Sequence, residues 1–283
     1  MKDNYFQSKF SINCKGKLIN LSTPKTIGII NATPDSFYDG GMNNTIKAGT
    51  MLAEKHLKDG ATFIDIGGYS SRPGAKNIST DTELKRVIPI IKSIHKHFPE
   101  AIISIDTFRA AVAKAAIYEG ASIINDISAF SLDKEYLSLI KELKVPYILM
   151  HMQGQPANMQ HNPSYESIIS DLLFFFSKKI NILNSNGIND IIIDPGFGFG
   201  KINQDNFKLL KNLAQLKLLE LPILAGISRK SMIYKTLKTK SISSINGTTA
   251  LHMEALKNGA KVLRAHDIKE AQECIELHKN LII

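Results

Sequence analysis

Polar side chains with complementary hydrogen-bonding roles stand directly after several short apolar segments of this chain. They are Asn31, Asp106, Asn125, Asp194 and Arg264. A carboxylate accepts two N–H bonds, an amide both donates and accepts, and an arginine fork binds phosphate or carboxylate. Brought to one place, these groups would form a pocket for a single ligand. The elements that carry them must therefore end at a common point.

Eight short, largely apolar segments precede these and similar positions. They cover residues 27–30, 63–66, 102–105, 123–124, 147–150, 191–193, 223–225 and 262–263. Strands that are apolar on both faces belong to parallel sheets covered by helices, and eight of them predict an α/β fold, a TIM-type (β/α)8 barrel. The active site of such a barrel forms at the C-terminal ends of the strands, so we expect the polar residues to line one pocket.

Amphipathic helical periodicity fills the sequence between these segments. The predicted helices cover residues 45–58, 80–97, 110–119, 134–143, 167–184, 207–216, 228–237, 248–258 and 268–278. Several are followed by glycine, as helix C-termini favour: Gly60, Gly120, Gly187 and Gly259. Residues 10–21, with Gly16 as the turn, predict a short N-terminal β-hairpin outside the repeat. Without a linker to divide it, the chain from 1 to 283 is expected to form a single domain.

Composition argues against several classes of function. The chain has 283 residues, 43% of them hydrophobic, and a net charge of +9. Only five of its 35 basic residues are arginine, and the lysines lie along predicted helices, which indicates solvated helix faces and no nucleic-acid partner. No apolar segment approaches the roughly 20 residues of a membrane helix. The only cysteines, Cys14 and Cys274, exclude a disulfide framework and favour a reducing compartment, so we expect a cytoplasmic protein.

Two polar loops rich in glycine and proline follow the first two predicted strands, at residues 31–41 and 65–74. Either loop alone could be an ordinary surface turn, but on adjacent strands of a barrel both would cover the same pocket. Residues 194–201 contain glycines and a lysine, yet they lack the spacing and the Ser/Thr of a phosphate-binding P-loop. Neither a nucleophile elbow nor a zinc-ligand motif occurs.

Eight short motifs in fixed order resemble the dihydropteroate synthase family, from about residue 26 to residue 278. They occupy residues 28–41, 65–68 with 72–74, 105–107, 124–127, 149–154, 194–201, 228–232 and 264–267. The resemblance implies the same barrel that the segment pattern predicts. It also implies a transferase, in which p-aminobenzoate displaces pyrophosphate from (7,8-dihydropterin-6-yl)methyl diphosphate to give 7,8-dihydropteroate.

The resemblance assigns a pterin site to residues of this chain. Asp194 and Asn125 match the contacts to the hydrogen-bonding edge of the dihydropterin, and Asp106, Lys230 and Met150 lie in the matching motifs beside them. Buried polar groups cost about 1–3 kcal/mol each when unpaired, which is how such a pocket would reject a ligand that is not a pterin.

A leaving-group site and an arylamine site follow from the same resemblance. Arg264 and His266 match the cations for the diphosphate, and Asn31 matches a contact to magnesium or phosphate, so Mg²⁺ is the expected cofactor. The catalytic residues would be Arg264, His266, Lys230 and Asp106, with Arg264 exposed at its strand end and making few core contacts. The family's p-aminobenzoate contacts match Thr33, Pro34, Phe37, Ser71, Arg72, Pro73, Phe199 and Lys230. A homodimer is expected from the family alone.

Two positions depart from the family pattern. The family usually has Glu after Gly67 and Gly68, and Thr before the arginine of the second loop, where this chain has Tyr69 and Ser71. Serine keeps the hydroxyl, whereas tyrosine removes a charge at the base of the loop and leaves open a paralogue that binds pterin without turnover. A pterin-dependent corrinoid methyltransferase with a similar pocket is the other alternative, although it has less use for the two loops.

Overall fold

A parallel barrel forms the centre of the molecule. The computed structural model describes residues 10–33, 42–70, 77–156, 158–160 and 163–281, with the backbone alone at 42–44. The barrel strands are β3 (Lys25–Asn31), β4 (Phe63–Gly67), β5 (Ile102–Asp106), β6 (Ile123–Asp126), β7 (Tyr147–Met150), β8 (Ile191–Asp194), β9 (Ile223–Ala225) and β10 (Ala260–Ala265). They close in the order β10-β3-β4-β5-β6-β7-β8-β9. The predicted eight-stranded barrel is confirmed.

The barrel strands are buried on both faces because alternate residues pack in opposite directions. Ile64 and Ile103 belong to the large core between the strands and the outer helices. Their neighbours Phe63 and Ile102 belong to a second core. This explains why the strands are apolar at successive positions and do not alternate with polar residues.

The helices surround the barrel. They are α1 (Met42–Lys58), α2 (Thr80–His97), α3 (Ala110–Tyr118), α4 (Tyr136–Leu143), α5 (Ile168–Ser185), α6 (Asn203–Lys211), α7 (Ser231–Tyr234), α8 (Ile245–Lys257) and α9 (Ile268–Leu281). Two predictions were wrong. The single helix expected at 207–216 is α6 followed by a 3₁₀ helix at Leu213–Leu219, and the helix expected at 228–237 is only α7. None of the helices in the described ranges is long and apolar enough to cross a lipid bilayer.

The N-terminal hairpin closes one end of the barrel. Its strands β1 (Ser11–Cys14) and β2 (Lys17–Asn20) pair antiparallel, as predicted, and form a separate sheet. Their buried side chains Ile12 and Ile19 share a core with Ile27 and Phe63 near the beginnings of β3 and β4. The hairpin therefore packs on the N-terminal ends of the strands and leaves the C-terminal ends for the polar residues.

Candidate active site at the carboxyl end of the barrel

The parallel pairing of the barrel strands brings together the polar residues that the sequence predicts for the pocket. Asp106 ends β5 next to Asn125 of β6, and Asp194 ends β8 next to Met150 of β7. Arg264 lies one residue before the end of β10. Asn125, Asp194 and Met150 are buried. The same end of the barrel thus collects two carboxylates, an amide and an arginine, as expected from the pattern of strand ends.

Arg264 bridges two carboxylates inside this pocket. Its Nε donates to Asp65 Oδ2 at 2.6 Å, and its Nη2 donates to Asp106 Oδ2 at 2.9 Å. The Arg264 side chain is only 18% exposed, and Asp65 is fully buried. The expectation that Arg264 is exposed with few core contacts was therefore wrong. Buried acids require a counter-ion, and this arginine supplies it.

Asp65 is a site residue that the sequence reasoning missed. It also accepts a hydrogen bond from Asn125 Nδ2 at 3.0 Å, so it connects the arginine to the amide. Asp65 Oδ1 and Asn125 Oδ1 are buried without a hydrogen-bond partner among the residues that the structure describes. N–H donors of a ligand would satisfy both oxygens. The available signal was an acid within the otherwise apolar segment 63–66, because a charge is rarely buried there without a purpose.

The pocket alters the proton affinity of Asp106. Burial raises its pKa to about 7, and the opposing attraction of Arg264 does not offset that effect. The neighbouring carboxylates, chiefly Asp65, raise the pKa further because like charges disfavour ionisation. Burial and the neighbouring carboxylates thus favour a proton on Asp106 up to about pH 7, against the effect of Arg264.

The raised pKa of Asp106 predicts a pH dependence of stability. The folded state binds this proton up to about pH 7, whereas the unfolded state releases it near the ordinary value of 3.8. This contribution is therefore complete below about pH 4 and is lost as the pH rises through about 7. We expect the free energy of unfolding of the wild type, relative to that of Asp106→Asn, to fall as the pH rises from about 4 to about 7. Urea denaturation of both proteins at several pH values measures it, and parallel pH profiles would contradict the assignment.

Asp194 and Lys230 face the same space beside Gly226. A Cβ atom at Gly226 would lie 3.8 Å from both Asp194 Oδ2 and Lys230 Nζ, so glycine keeps this space open. Asp194 Oδ1 accepts a hydrogen bond from the amide of Gly196 at 2.7 Å, which fixes the carboxylate in position. Burial raises the pKa of Asp194 and lowers the pKa of Lys230 to about 8. The two groups thus present an acceptor and a donor to one ligand.

Lys230 also organises the aromatic side of the pocket. Its Nζ donates to the carbonyl oxygen of Phe197 and lies 4.7 Å from the ring centroid of Phe199. Phe197 is fully buried in the core, whereas Phe199 is half-buried. The structure therefore places Lys230 and Phe199 together, as the family resemblance implied for the arylamine ring.

The loop that carries Asp194 and Phe199 is held by Lys201, another residue that the sequence reasoning missed. Lys201 Nζ donates to the carbonyl oxygens of Gly196 and Phe199 at 3.0 and 3.1 Å and lies 3.0 Å from His151 Nδ1. Lys201 is buried, and desolvation lowers its pKa to about 7. A Cβ atom at Gly196 would overlap the His151 carbonyl oxygen, so the loop after β8 packs directly against the loop after β7.

His266 follows β10 and contacts the segment that follows β9. Its Nδ1 lies 3.1 Å from Ser228 Oγ. Burial, with help from neighbouring arginines, lowers the pKa of His266 to about 4, so the imidazole is neutral at neutral pH. A diphosphate beside His266 would raise this pKa, because a nearby anion favours the protonated imidazole, so its role as a cation stays a prediction. Arg229 bonds both oxygens of Asp267, at 2.9 and 2.6 Å, and ties the two segments together.

The remaining expected residues divide between described and undescribed parts of the chain. Asn31 ends β3, is half-buried and pairs with Gly67 of β4, at the same end as the pocket. Thr33 follows two residues later and is half-buried. The other expected arylamine contacts lie outside the described residues, and their roles stay predictions: Pro34, Phe37, Ser71, Arg72 and Pro73.

A family model places the chain among known proteins. The model of the pterin binding enzymes matches residues 27–266, which include the barrel strands except for the first two residues of β3. A dihydropteroate synthase of Haemophilus influenzae is 41% identical over 263 residues, covering 92% of this chain and 95% of that protein. The match therefore extends over nearly the whole length of both chains.

Solved structures agree with the sequence relatives. The Yersinia pestis dihydropteroate synthase in a sulfonamide drug complex has a TM-score of 0.91 and 39% identity, covering 96% of this chain and 99% of that one. The Xanthomonas albilineans dihydropteroate synthase with 4-aminobenzoic acid has a TM-score of 0.90 and 36% identity, covering 96% and 98%. Together with the pocket described above, these matches show that the chain belongs to the pterin-binding enzymes and, within them, to the dihydropteroate synthase family.

Proposed function

We propose that this chain transfers the 7,8-dihydropterin-6-ylmethyl group from its diphosphate to p-aminobenzoate, forming 7,8-dihydropteroate and pyrophosphate. One observation carries the proposal. The polar pocket contains two buried acceptor oxygens, Asp65 Oδ1 and Asn125 Oδ1, that lack a donor among the described residues and would gain one from a pterin. The arylamine is supported by the Xanthomonas structure, which contains 4-aminobenzoic acid.

The pocket suits the edge of a dihydropterin. That edge is a flat amide–amidine system that presents donors and acceptors together. The Asp194 carboxylate can accept two N–H bonds from it, and Asn125 can both donate and accept. Because the pKa of Lys230 is about 8, its amino group is protonated in most molecules at neutral pH. It can then donate to a ring carbonyl or nitrogen of the pterin.

The reaction exchanges a C–O bond for a C–N bond and releases one N–H proton of the arylamine to solvent. The C–O bond between the pterin methylene and the diphosphate breaks, and its electron pair leaves with the diphosphate. The arylamine nitrogen forms the new C–N bond and releases a proton. Arg264 uses its Nε and Nη2 on Asp65 and Asp106, which leaves other N–H groups of the guanidinium for the departing oxygens. Stabilisation of that growing charge is commonly the largest contribution to such a rate.

Magnesium would sit at the leaving-group end of this pocket, and Asn31 fits it. Mg²⁺ prefers oxygen ligands, keeps several waters and is commonly carried by substrate phosphates with only one or two protein ligands. The half-buried amide of Asn31 offers one such oxygen. Among the described residues, no group of three or more His, Cys, Asp or Glu could hold the ion alone. When bound with the diphosphate, the ion would neutralise charge on the leaving group.

The order of substrate binding tests this proposal. Because the leaving group and the pterin complete the arylamine site in the proposed arrangement, p-aminobenzoate should bind the free protein poorly. We expect calorimetry to show at least about tenfold tighter binding once pyrophosphate, Mg²⁺ and a pterin are present, which corresponds to a coupling of about 1.4 kcal/mol. Omitting the pterin alone is the control. Equally tight binding to the bare protein would contradict the arrangement.

Assembly and location complete the proposal. We propose a homodimer, which the family resemblance implies. Sedimentation velocity would measure the state of association. A cytoplasmic location is supported by the two cysteines, Cys14 and Cys274, which are both buried and free.

A further inference from the structure

The loop after β8 orients two polar groups of the pocket. Residues 195–200 form this glycine loop, in which every second residue is glycine. The amide of Gly196 donates to Asp194 Oδ1 at 2.7 Å, and the carbonyl oxygen of Phe197 accepts a hydrogen bond from Lys230 Nζ. Asp194 and Lys230 are the acceptor and the donor that the pocket presents to a ligand. Both side chains therefore depend on the backbone of one short loop.

The glycine loop has a backbone that needs support from outside. Its glycines, Gly196, Gly198 and Gly200, have φ of 68°, 83° and 61°, in the left-handed region. Glycine loses more conformational freedom on folding than any other residue, so a fixed position for this loop requires contacts that hold it. Asn206 of α6 supplies one of them, because its Oδ1 accepts a hydrogen bond from the amide of Gly198 at 2.6 Å. That bond fixes the middle of the loop and leaves its two ends to other partners.

Lys201 binds both ends of the glycine loop and connects it to the loop after β7. An ammonium group has three N–H donors and no acceptor. The Lys201 ammonium has three acceptors at 3.0–3.1 Å, which are the carbonyl oxygens of Gly196 and Phe199 and Nδ1 of His151. Burial, followed by the charge of Lys201, lowers the pKa of His151 far below its ordinary value, so its ring is neutral and Nδ1 can accept. The donors of Lys201 thus act on the two loops.

The burial of Lys201 indicates a purpose other than stability. Lys201 is 2% exposed, and desolvation lowers its pKa from 10.5 to about 7. The fold therefore opposes the charged form of this side chain, whereas a methionine of similar length would fill the same space without that penalty. The lysine adds directed hydrogen bonds to two loops. Directed bonds fix geometry, which matters where two ligand-binding groups depend on the loop.

We propose that Lys201 is a positioning residue for the pterin pocket, acting through the glycine loop on Asp194 and Lys230. By holding Gly196 and Phe199, it fixes the amide that orients the Asp194 carboxylate and the backbone to which Lys230 donates. The inference rests on the proposed function, since it concerns how the pterin-binding groups of that function are held.

Lys201→Met is the variant that tests the proposal, because it keeps the length of the side chain and removes its donors. Calorimetry with 7,8-dihydropterin and pyrophosphate should show about tenfold weaker pterin binding than in the wild type, as for the loss of one hydrogen bond to a charged group. The measurement is made at about pH 6, where Lys201 is mostly protonated because its pKa is about 7. The control is Lys211→Met, at the exposed end of α6, which should bind as the wild type does. Unchanged pterin affinity in a folded Lys201→Met protein would overturn the proposal.

A double-mutant cycle separates positioning from a general loss of packing. In an Asp194→Asn background, one of the two groups through which Lys201 acts is already changed, so Lys201→Met should weaken binding by less than about threefold. In an Asn125→Ala background the full effect of about tenfold should remain, because Asn125 of β6 bonds Asp65 and not the glycine loop. Equal losses in both backgrounds would overturn the positioning role, since general loosening adds to either substitution.

Amide hydrogen exchange adds a readout that needs no ligand. The Gly196 amide should exchange at least about tenfold faster in Lys201→Met than in the wild type, while amides of the barrel strands should exchange at the same rate in both. Lys201→Gln keeps amide donors in the same space, so its exchange rate and its pterin affinity should lie between those of the wild type and Lys201→Met. If Lys201→Met does not fold, Lys201→Gln enters the same cycle with the same expected pattern.

The outcomes distinguish this inference from the proposed function. A wild-type chain that binds no 7,8-dihydropterin overturns the proposed function. A wild-type chain that binds it, with a Gly196 amide whose exchange does not depend on Lys201, overturns the positioning role. The expected result is weaker pterin binding in Lys201→Met, faster exchange at Gly196 and a smaller effect in the Asp194→Asn background.

Discussion

Arg264→Ala is expected to lower turnover at least about 100-fold, as the loss of one preorganised donor does in other enzymes. The same substitution should lower the free energy of unfolding by about 3–5 kcal/mol, because it leaves Asp65 and Asp106 in the pocket without their shared cation. Steady-state rates and urea denaturation at neutral pH measure the two effects. Arg264 thus has a structural role through its two ion pairs and a proposed catalytic role through its remaining N–H groups.

Two comparisons separate these roles. Arg264→Lys keeps a positive charge, so it should recover most of the stability but only part of the rate, because an ammonium cannot bind two acids and the leaving group together. The stability lost in Arg264→Ala should also shrink as the pH falls toward 4, since the unpaired acids then take up protons. An Arg264→Ala protein that is as stable as the wild type would contradict the assigned ion pairs.

Asp194→Asn is expected to weaken binding of a dihydropterin by about 1.5–3 kcal/mol, or roughly 10- to 150-fold. Asparagine has the same shape, and its Oδ1 can still accept the bond from the Gly196 amide, so the loop should keep its conformation. Its Nδ2, however, would present a donor where the ligand also presents N–H groups. Calorimetry with a pterin and pyrophosphate measures the change.

The matched control for this result is the circular dichroism and thermal stability of Asp194→Asn, which should stay close to those of the wild type. Gly226→Ala is a second test of the space between Asp194 and Lys230. Its methyl group would lie within van der Waals distance of Asp194 Oδ2 and Lys230 Nζ, so it should obstruct the ligand without removing a charge. Unchanged pterin affinity in a folded Asp194→Asn protein would rule out its role as the principal acceptor.

The positions of the strands and of their terminal polar residues were predictable from sequence, because parallel strands must be apolar on both faces. Asn125 and Asp194 were found in this way. The partner of Arg264 was not, since Asp65 lies 199 residues away along the chain and is brought to it only by closure of the barrel. Burial of the arginine follows from that pairing, so it too could not be predicted from local pattern.

The short helix α7 shows a second feature that could not be predicted from the sequence pattern. The sequence at 228–237 is a good helix by periodicity, but Arg229 adopts a left-handed backbone conformation with φ of 55°. Lys230 is extended and precedes the helix. This backbone lets Arg229 bond Asp267 and lets Lys230 approach Phe197. Tertiary contacts thus override helix propensity at the position where the site needs a lysine.

Turnover of the purified chain with (7,8-dihydropterin-6-yl)methyl diphosphate, p-aminobenzoate and Mg²⁺, in an assay that follows both products, tests the proposed reaction most directly. We predict that 7,8-dihydropteroate and pyrophosphate form in equal amounts and that omitting p-aminobenzoate abolishes dihydropteroate formation. A folded chain that binds a dihydropterin but forms no dihydropteroate would contradict the account and identify a pterin-binding paralogue without turnover.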